Sequence, residues 1–276
     1  METSTATEFV TTTRGDRVAY DRRGAGPALV FIAGAGPFRA IDPWTTETAE
    51  RMSEMGLTTV VYDRLGRGES PATGRLDLER ELDAVRAVIE VAGGSAVLCG
   101  HSSGCSIALR AAVEGLPVRG LALWEAPLGK TGADAQSWSD EIERRLDTDD
   151  VEGAMAHYMK DMPPEWLAAA QASPKWKAVA ASVVSNRADA QSLAWAATAL
   201  ESGRLADDIG VPVLAMYGVE TFREMPLAAE RLAEVIPGAV AQEAAGANHM
   251  WEPEPMAATL VDFVQRCSAE ASSSGR

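Results

Sequence analysis

The sequence predicts an α/β fold: a mostly parallel, doubly wound sheet with a block of helices inserted as a cap. Three observations carry this. Short apolar runs rich in β-branched residues recur along the chain with helical patterns between them, and such alternation of strand and helix is the pattern of a parallel sheet with helices on its faces. From about Lys130 to about Asp208 the strand runs stop, and helix formers with Trp138, Trp166, Trp176 and Trp195 replace them. Strand runs then resume, so the helical block interrupts one domain instead of starting another. A chain of 276 residues is long enough for that single large domain.

The elements follow in order. Alternating stretches at Phe9–Thr13 and Val18–Asp21, joined by Arg14-Gly15-Asp16, read as an opening antiparallel pair. Four apolar runs, Ala28–Ala33, Thr58–Tyr62, Ala96–Cys99 and Gly120–Trp124, suit strands buried on both faces. Leu78–Val91 places Leu82, Val85, Val88 and Ile89 at helical spacing, and Gly93-Gly94 supplies a stop. Strand character returns at Val211–Tyr217 and more weakly at Ala239–Gln242, with helical patterns at Leu227–Val235 and Met256–Cys267. The expected organisation is a core of residues 1–127 and 209–267, a cap of residues 128–208, and a flexible tail of residues 268–276, small and polar from Ser268 on. Helices inserted above strand C-termini commonly roof a ligand pocket.

Composition excludes several classes. Hydrophobic residues make up 46% and charged residues 24%, an ordinary globular balance. Formal charge is 25 − 40 = −15, which opposes binding to phosphate backbones and anionic membranes. No apolar run is long enough to cross a bilayer. The start METSTATEFV lacks the basic and apolar regions of a signal peptide. Cys99, Cys105 and Cys267 are odd in number and lack metal-ligand spacing, which favours a reducing, cytoplasmic setting without disulfide or metal.

The sharpest chemical signal is Gly100-His101-Ser102-Ser103-Gly104, which follows a strand-like run and opens the helical pattern Ser106–Val113. Strand, tight turn and helix form the context of a nucleophile elbow, in which the glycines relieve crowding and the serine hydroxyl projects from the sheet edge. Ser102 then needs a base. The chain has three histidines. His101 adjoins the nucleophile and is expected to point away and pack. His157 lies in the cap as an interface residue. His249, in Gly246-Ala247-Asn248-His249-Met250-Trp251, follows the last strand run and is the expected general base.

With these features the chain resembles the α/β-hydrolase fold family over essentially its whole length. Asp63-Arg64-Leu65-Gly66-Arg67-Gly68-Glu69-Ser70 is similar to the family's D-x-x-G-x-G-x-S turn, read here as structural bracing. Many relatives place the triad aspartate in a G-x-x-D turn after the strand matching Val211–Tyr217. Here that turn is Gly218-Val219-Glu220-Thr221, and threonine cannot balance an imidazolium. Glu125, at the end of Leu121-Ala122-Leu123-Trp124, is the expected replacement, because a carboxylate on an apolar strand end is costly unless paired or used. Glu220 is the alternative. Some haloalkane dehalogenases and the lactonases that open zearalenone carry their acid after the sixth strand. A serine at the elbow separates this chain from dehalogenases and epoxide hydrolases, which carry aspartate there, and the Ser-Ser-Gly elbow and Pro174-Lys175-Trp176 add likeness to the lactonases.

The resemblance implies an oxyanion hole in Ile32-Ala33-Gly34-Ala35-Gly36-Pro37, where Ala33 stands in place of the usual histidine. The expected donors are the amide of Ser103 and that of Gly34 or Ala35. This segment lacks the spacing of a dinucleotide or phosphate loop, and no cofactor is implied. The cap tryptophans, with Met155, Met159 and Met162, suggest an apolar roof, and Trp176 and Met250 are the candidate substrate contacts. The expected activity is hydrolysis of a bulky carboxylic ester or lactone, a small-molecule substrate, through an acyl-enzyme. Thioester or C–C bond hydrolysis, natural-product cyclisation, and a non-catalytic ligand receptor are the alternatives, and homo-oligomerisation stays open.

Overall fold

A computed structural model of the chain describes residues 7–274. Residues 1–6 and 275–276 lie outside it, and with them most of the polar start read above for a leader and the end of the expected tail. The first strands, β1 (Glu8–Thr11) and β2 (Arg17–Arg23), pair antiparallel. β3 (Ala28–Ile32), α1 (Pro43–Glu54), β4 (Thr58–Tyr62), α2 (Leu78–Ala92), β5 (Ala96–His101), α3 (Ser103–Val113) and β6 (Val118–Trp124) follow. Six helices then intervene: α4 (Gly132–Asp147), α5 (Val151–Tyr158), α6 (Pro164–Ala172), α7 (Trp176–Ala181), α8 (Arg187–Glu201) and α9 (Arg204–Asp208). The chain closes with β7 (Val213–Glu220), α10 (Glu224–Val235), β8 (Val240–Ala247), β9 (Met250–Trp251) and α11 (Pro253–Ser274).

The nine strands form one sheet in the order β1-β2-β4-β3-β5-β6-β7-β8-β9, parallel from β4 to β8 and antiparallel at both ends. Central strands are buried on both faces, and the period of two sorts their side chains. Val30, Ile32, Val60, Leu98, Leu121 and Leu123 pack toward α2, α3 and α10. Leu29, Phe31, Val61, Val97, Cys99 and Ala122 pack toward α1 and α11. The Asp77 carboxylate caps α2 by accepting the Arg80 amide, and Gly93, with φ of 122°, ends it in a conformation open to glycine.

Most boundaries shift by one to three residues from the sequence reading, and the two largest differences lie near the C-terminus. α11 runs on to Ser274, past Cys267, where the polar composition suggests a tail. β8 also continues further and turns back as β9, which the sequence reading leaves as loop. The inserted helices hold their own apolar cluster around Trp138, Ile142, Met155, Tyr158 and Val183. α8 joins both layers: Ala190 belongs to that cluster, while Ala196, Ala199 and Leu200 enter the core beside α3.

The turn after β4 is braced as its residues imply. The Asp63 carboxylate accepts the Arg39 and Glu69 amides at 2.9 and 2.8 Å. A Cβ at Gly68 would lie 2.2 Å from Asp63 Oδ2, so only glycine fits there. Ser70 Oγ donates to the Asp63 carbonyl and accepts the Ala19 amide, tying the turn to β2. Among the described residues no helix is long and apolar enough to cross a membrane.

Candidate active site

Five chain segments meet at the C-terminal edge of the parallel strands. β5 ends at His101 and α3 starts at Ser103, so Ser102 is the turn itself, with φ of 54° and ψ of −126°. That conformation is costly for a residue with a Cβ, and the surroundings enforce it. The Ser102 amide donates to the Trp124 carbonyl at 2.9 Å, and its carbonyl accepts the Cys105 amide at 2.9 Å. Close packing on either side requires glycine. A Cβ at Gly104 would sit 2.2 Å from the Ile32 carbonyl oxygen, and one at Gly100 would sit 2.6 Å from Cys105 Cα.

Glu125 follows β6 and His249 lies between β8 and β9. The Glu125 carboxylate hydrogen-bonds His249 Nδ1 through Oε2, and its Oε1 accepts the Gly218 amide at 2.9 Å. Glu125 is 1% exposed. Burial pushes its carboxyl up, but the hydrogen bonds from His249 and the Gly218 amide, with the Thr221 hydroxyl nearby, outweigh burial and hold it below its ordinary value. Thr221 occupies the turn position where relatives carry aspartate, and here its hydroxyl lies beside the glutamate instead. Glu220 is exposed on β7, and its carbonyl accepts the Asn248 amide.

Asn248 and His249 form the two-residue turn between β8 and β9, with φ of 52° and 71°. Positive φ at both positions marks a type I′ hairpin turn. Among the described residues, five non-glycine residues have positive φ: Ser102, Glu125, Asp149, Asn248 and His249. Four of them stand at this site, and such concentrated backbone strain marks a place where geometry is held against local preference.

His101 does more than pack. Its Nε2 lies 2.9 Å from the His249 carbonyl oxygen, which can only accept, so the Nε2–H tautomer donates. Trp124 Nε1 donates to the same oxygen at 3.2 Å, and the rings of His101 and His249 are 4.8 Å apart. Burial, with His249 nearby, lowers the His101 imidazole to about 4. The folded protein therefore takes up this proton later than the unfolded chain, whose imidazole has its ordinary value of 6.5. Stability is expected to fall as pH drops through that window, by on the order of 3 kcal/mol from this group. Urea unfolding at pH 6.5 and 4.5 checks this: His101→Gln should lose less stability than the parent over the same interval, and equal losses would rule the account out.

The segment after β3 closes the site from the other side. A Cβ on Gly34 would lie 2.8 Å from Ser102 Cβ, so the loop backbone lies against Ser102. Among the described residues, the amides of Gly34, Ala35 and Ser103 make no hydrogen bond. Idle donors next to a serine hydroxyl are what a developing oxyanion requires. Ala35 also packs against the apolar cluster of the inserted helices, together with Met159, Met162 and Trp176.

Of the two candidate substrate contacts, Met250 is half-buried on β9. Trp176 is half-buried at the start of α7, where its Nε1 donates to Glu152 at 2.9 Å. His157 is half-buried on α5, and its carbonyl accepts Trp138 Nε1. Sequence reasoning overlooks Phe222, whose ring centroid is 6.3 Å from that of His249, and does not single out Trp166, whose ring meets Phe222 edge-on at 5.8 Å. These aromatics connect α6 to the histidine, and nothing in their local pattern marks them.

Residues 29–262 match a family model described as the alpha/beta hydrolase family. An alpha/beta hydrolase from Sphaerobacter thermophilus is similar in structure over 93% of this chain and 99% of its own, at 29% identity and a TM-score of 0.75. An esterase from Thermogutta terrifontis is similar over 95% and 99% of the two chains at 20% identity, with a TM-score of 0.66. One from Exiguobacterium antarcticum is similar over 94% and 100% at 18% identity, with a TM-score of 0.59. At those last two identities the likeness is one of fold. No curated protein matches the chain in sequence.

Proposed function

The chain belongs to the alpha/beta hydrolase family, and from that premise we propose that it is a serine hydrolase cleaving a bulky carboxylic ester or lactone through an acyl-enzyme. The observation that carries this reading is the Glu125 carboxylate on His249 Nδ1. A proton held on Nδ1 leaves Nε2 as the basic nitrogen, the tautomer a general base needs.

In this reading Ser102 Oγ attacks the substrate carbonyl as His249 Nε2 takes its proton. Glu125 stabilises the resulting imidazolium, and the amides of Ser103 with Gly34 or Ala35 hold the tetrahedral oxygen. Collapse of the intermediate breaks the bond to the leaving oxygen, which receives the proton from His249. Water then adds to the acyl-enzyme with His249 again as base, releasing the acid and restoring Ser102. In a lactone the leaving alcohol remains attached to the acyl chain.

The acid after the sixth strand is shared with zearalenone-type lactonases, which supports including lactones. Phe222 near His249 with Trp166 edge-on against it, and Ala35, Met159, Met162 and Trp176 around one apolar cluster of the inserted helices, favour an apolar and bulky substrate. Trp176 and Met250 stay as candidate contacts within that wall. The inserted helices act as the cap in this account, and the setting is cytoplasmic.

A panel of chromogenic esters from acetate to aromatic acyl groups, with a macrocyclic lactone, tests the function. Turnover is expected for at least one bulky ester or lactone, and Trp176→Ala should change kcat/KM unequally between small and bulky members by roughly tenfold. A ligand receptor would bind these compounds and turn none over. Equal effects across the panel would reduce Trp176 to a packing residue.

A further inference from the structure

The interior holds a charged cluster that the reaction above does not use. Arg64 and Arg67, in the turn after β4, meet Glu81 of α2 and Asp189 of α8, and none of the four is more than 6% exposed. Arg64 grips Asp189 with both terminal nitrogens, at 2.6 and 3.2 Å, and donates Nε to Glu81 at 3.0 Å. Arg67 donates Nη2 to Asp189 at 2.9 Å. Two guanidinium groups balance two acidic side chains. Burial pushes the Asp189 carboxyl up, yet Arg64 and Arg67 outweigh it and keep the group ionised below its ordinary value. Buried ion clusters of this kind are seldom more stable than apolar packing of the same volume. What the cluster supplies is position.

The remaining donors show which position. Arg64 Nη1 also donates to the Ala33 carbonyl at 3.1 Å, and Arg67 Nη1 donates to the Gly34 carbonyl. These two peptide units supply the Gly34 and Ala35 amides. In a planar trans peptide the N–H points opposite to the C=O, and the described residues contain no cis bond. Arginines that hold the carbonyls on their own side therefore turn both N–H groups the other way. Asp189 Oδ1 also accepts Ser103 Oγ at 2.6 Å, which fixes the residue bearing the other amide.

We propose that Asp189, carried by the inserted helix α8, is a positioning residue for the oxyanion hole, locking Arg64, Arg67 and Ser103 so that the Gly34, Ala35 and Ser103 amides are presented together beside Ser102. The proposal rests on the serine-hydrolase reading above. It makes the hole a joint product of the core and the insert: the turn after β4 supplies the arginines, and α8 supplies the carboxylate that aims them. Asp189 lies in the first turn of α8, where the helix dipole also favours its negative charge.

The test is Asp189→Asn, which keeps size but removes the charge, compared with the parent by phosphonate active-site titration and by kcat per titrated site. The loss of one oxyanion donor typically lowers kcat by two to three orders of magnitude, so a fall on the order of a hundredfold is expected, with KM within about twofold. Affinity for a boronic acid that mimics the tetrahedral intermediate should fall in step with kcat/KM. A merely structural role would lower the titratable fraction and leave kcat per site unchanged. Arg67→Lys keeps a positive charge beside Asp189 but loses the planar fork that reaches Gly34; it carries the same test where Asp189→Asn is unfolded. Folded variants with parental kcat per site would overturn the proposal, and so would failure of both to fold, which would make the cluster structural. A parent that the phosphonate does not titrate would instead bring down the serine-hydrolase reading, and this proposal with it.

Discussion

Ser102→Ala and His249→Ala are each expected to lower kcat by at least about a thousandfold while leaving the fold intact, and the double variant should lose little more. Ser102 supplies the only covalent bond between protein and substrate in the proposed reaction, and His249 supplies the base without which that hydroxyl stays protonated. Groups that act in one step do not have additive losses, because removing either stops the same event. The residual rate comes from binding and from the amides of Gly34, Ala35 and Ser103. Ser102 is half-buried and its amide and carbonyl bonds belong to the backbone, so truncation of the hydroxyl leaves the turn in place. Steady-state kinetics on the best ester of the panel, with circular dichroism alongside, reads this directly. Near-parental turnover in Ser102→Ala would end the account.

Glu125→Gln is expected to cost three to four orders of magnitude in kcat, and Glu220→Gln less than about twofold. The geometry gives the reason. Gly218 donates its amide to Oε1, so the glutamine oxygen takes that place and its NH2 turns toward His249 Nδ1. An NH2 can only donate, which forces Nδ1 to accept and moves the ring proton to Nε2. The base then holds the wrong tautomer, and no carboxylate offsets the imidazolium. Glu220 is exposed and reaches the site only through its backbone carbonyl, which a side-chain change leaves untouched. Should Glu220→Gln be crippled and Glu125→Gln silent, the acid would belong to the seventh strand.

The elements most legible in the sequence are those whose local pattern and tertiary role agree. The strand Thr58–Tyr62 is apolar on both faces because it is buried on both faces, and it appears in the sequence with the same limits as in the structure. The elbow is legible because its glycines flank Ser102 at fixed spacing, although the contacts that demand them are local only for Gly100, against Cys105, and come from the end of β3 for Gly104. Glu125 stands out because a carboxylate ending an apolar run needs a partner.

What escapes is set by approach through space. Asp189, in Arg187-Ala188-Asp189-Ala190, reads as an ordinary helix-surface acid; only the docking of α8 on the turn after β4 buries it. The flanking alanines are the one local hint, since small residues permit that close approach. Phe222 follows an irregular turn and Trp166 is exposed on α6, so neither belongs to a periodic face that would single it out. The Asn248-His249 turn escapes because histidine seldom takes positive φ, and the surrounding hydrogen bonds to its carbonyl, from His101 and Trp124, come from strands far away in sequence.

The central claim is that Ser102 is the nucleophile. Its most direct test is treatment of the parent protein with a fluorophosphonate, followed by intact mass and peptide mapping. One adduct per chain is expected, on Ser102, lost in Ser102→Ala and slowed by orders of magnitude in His249→Ala. No adduct on the parent, or one on another residue that persists in Ser102→Ala, would contradict it.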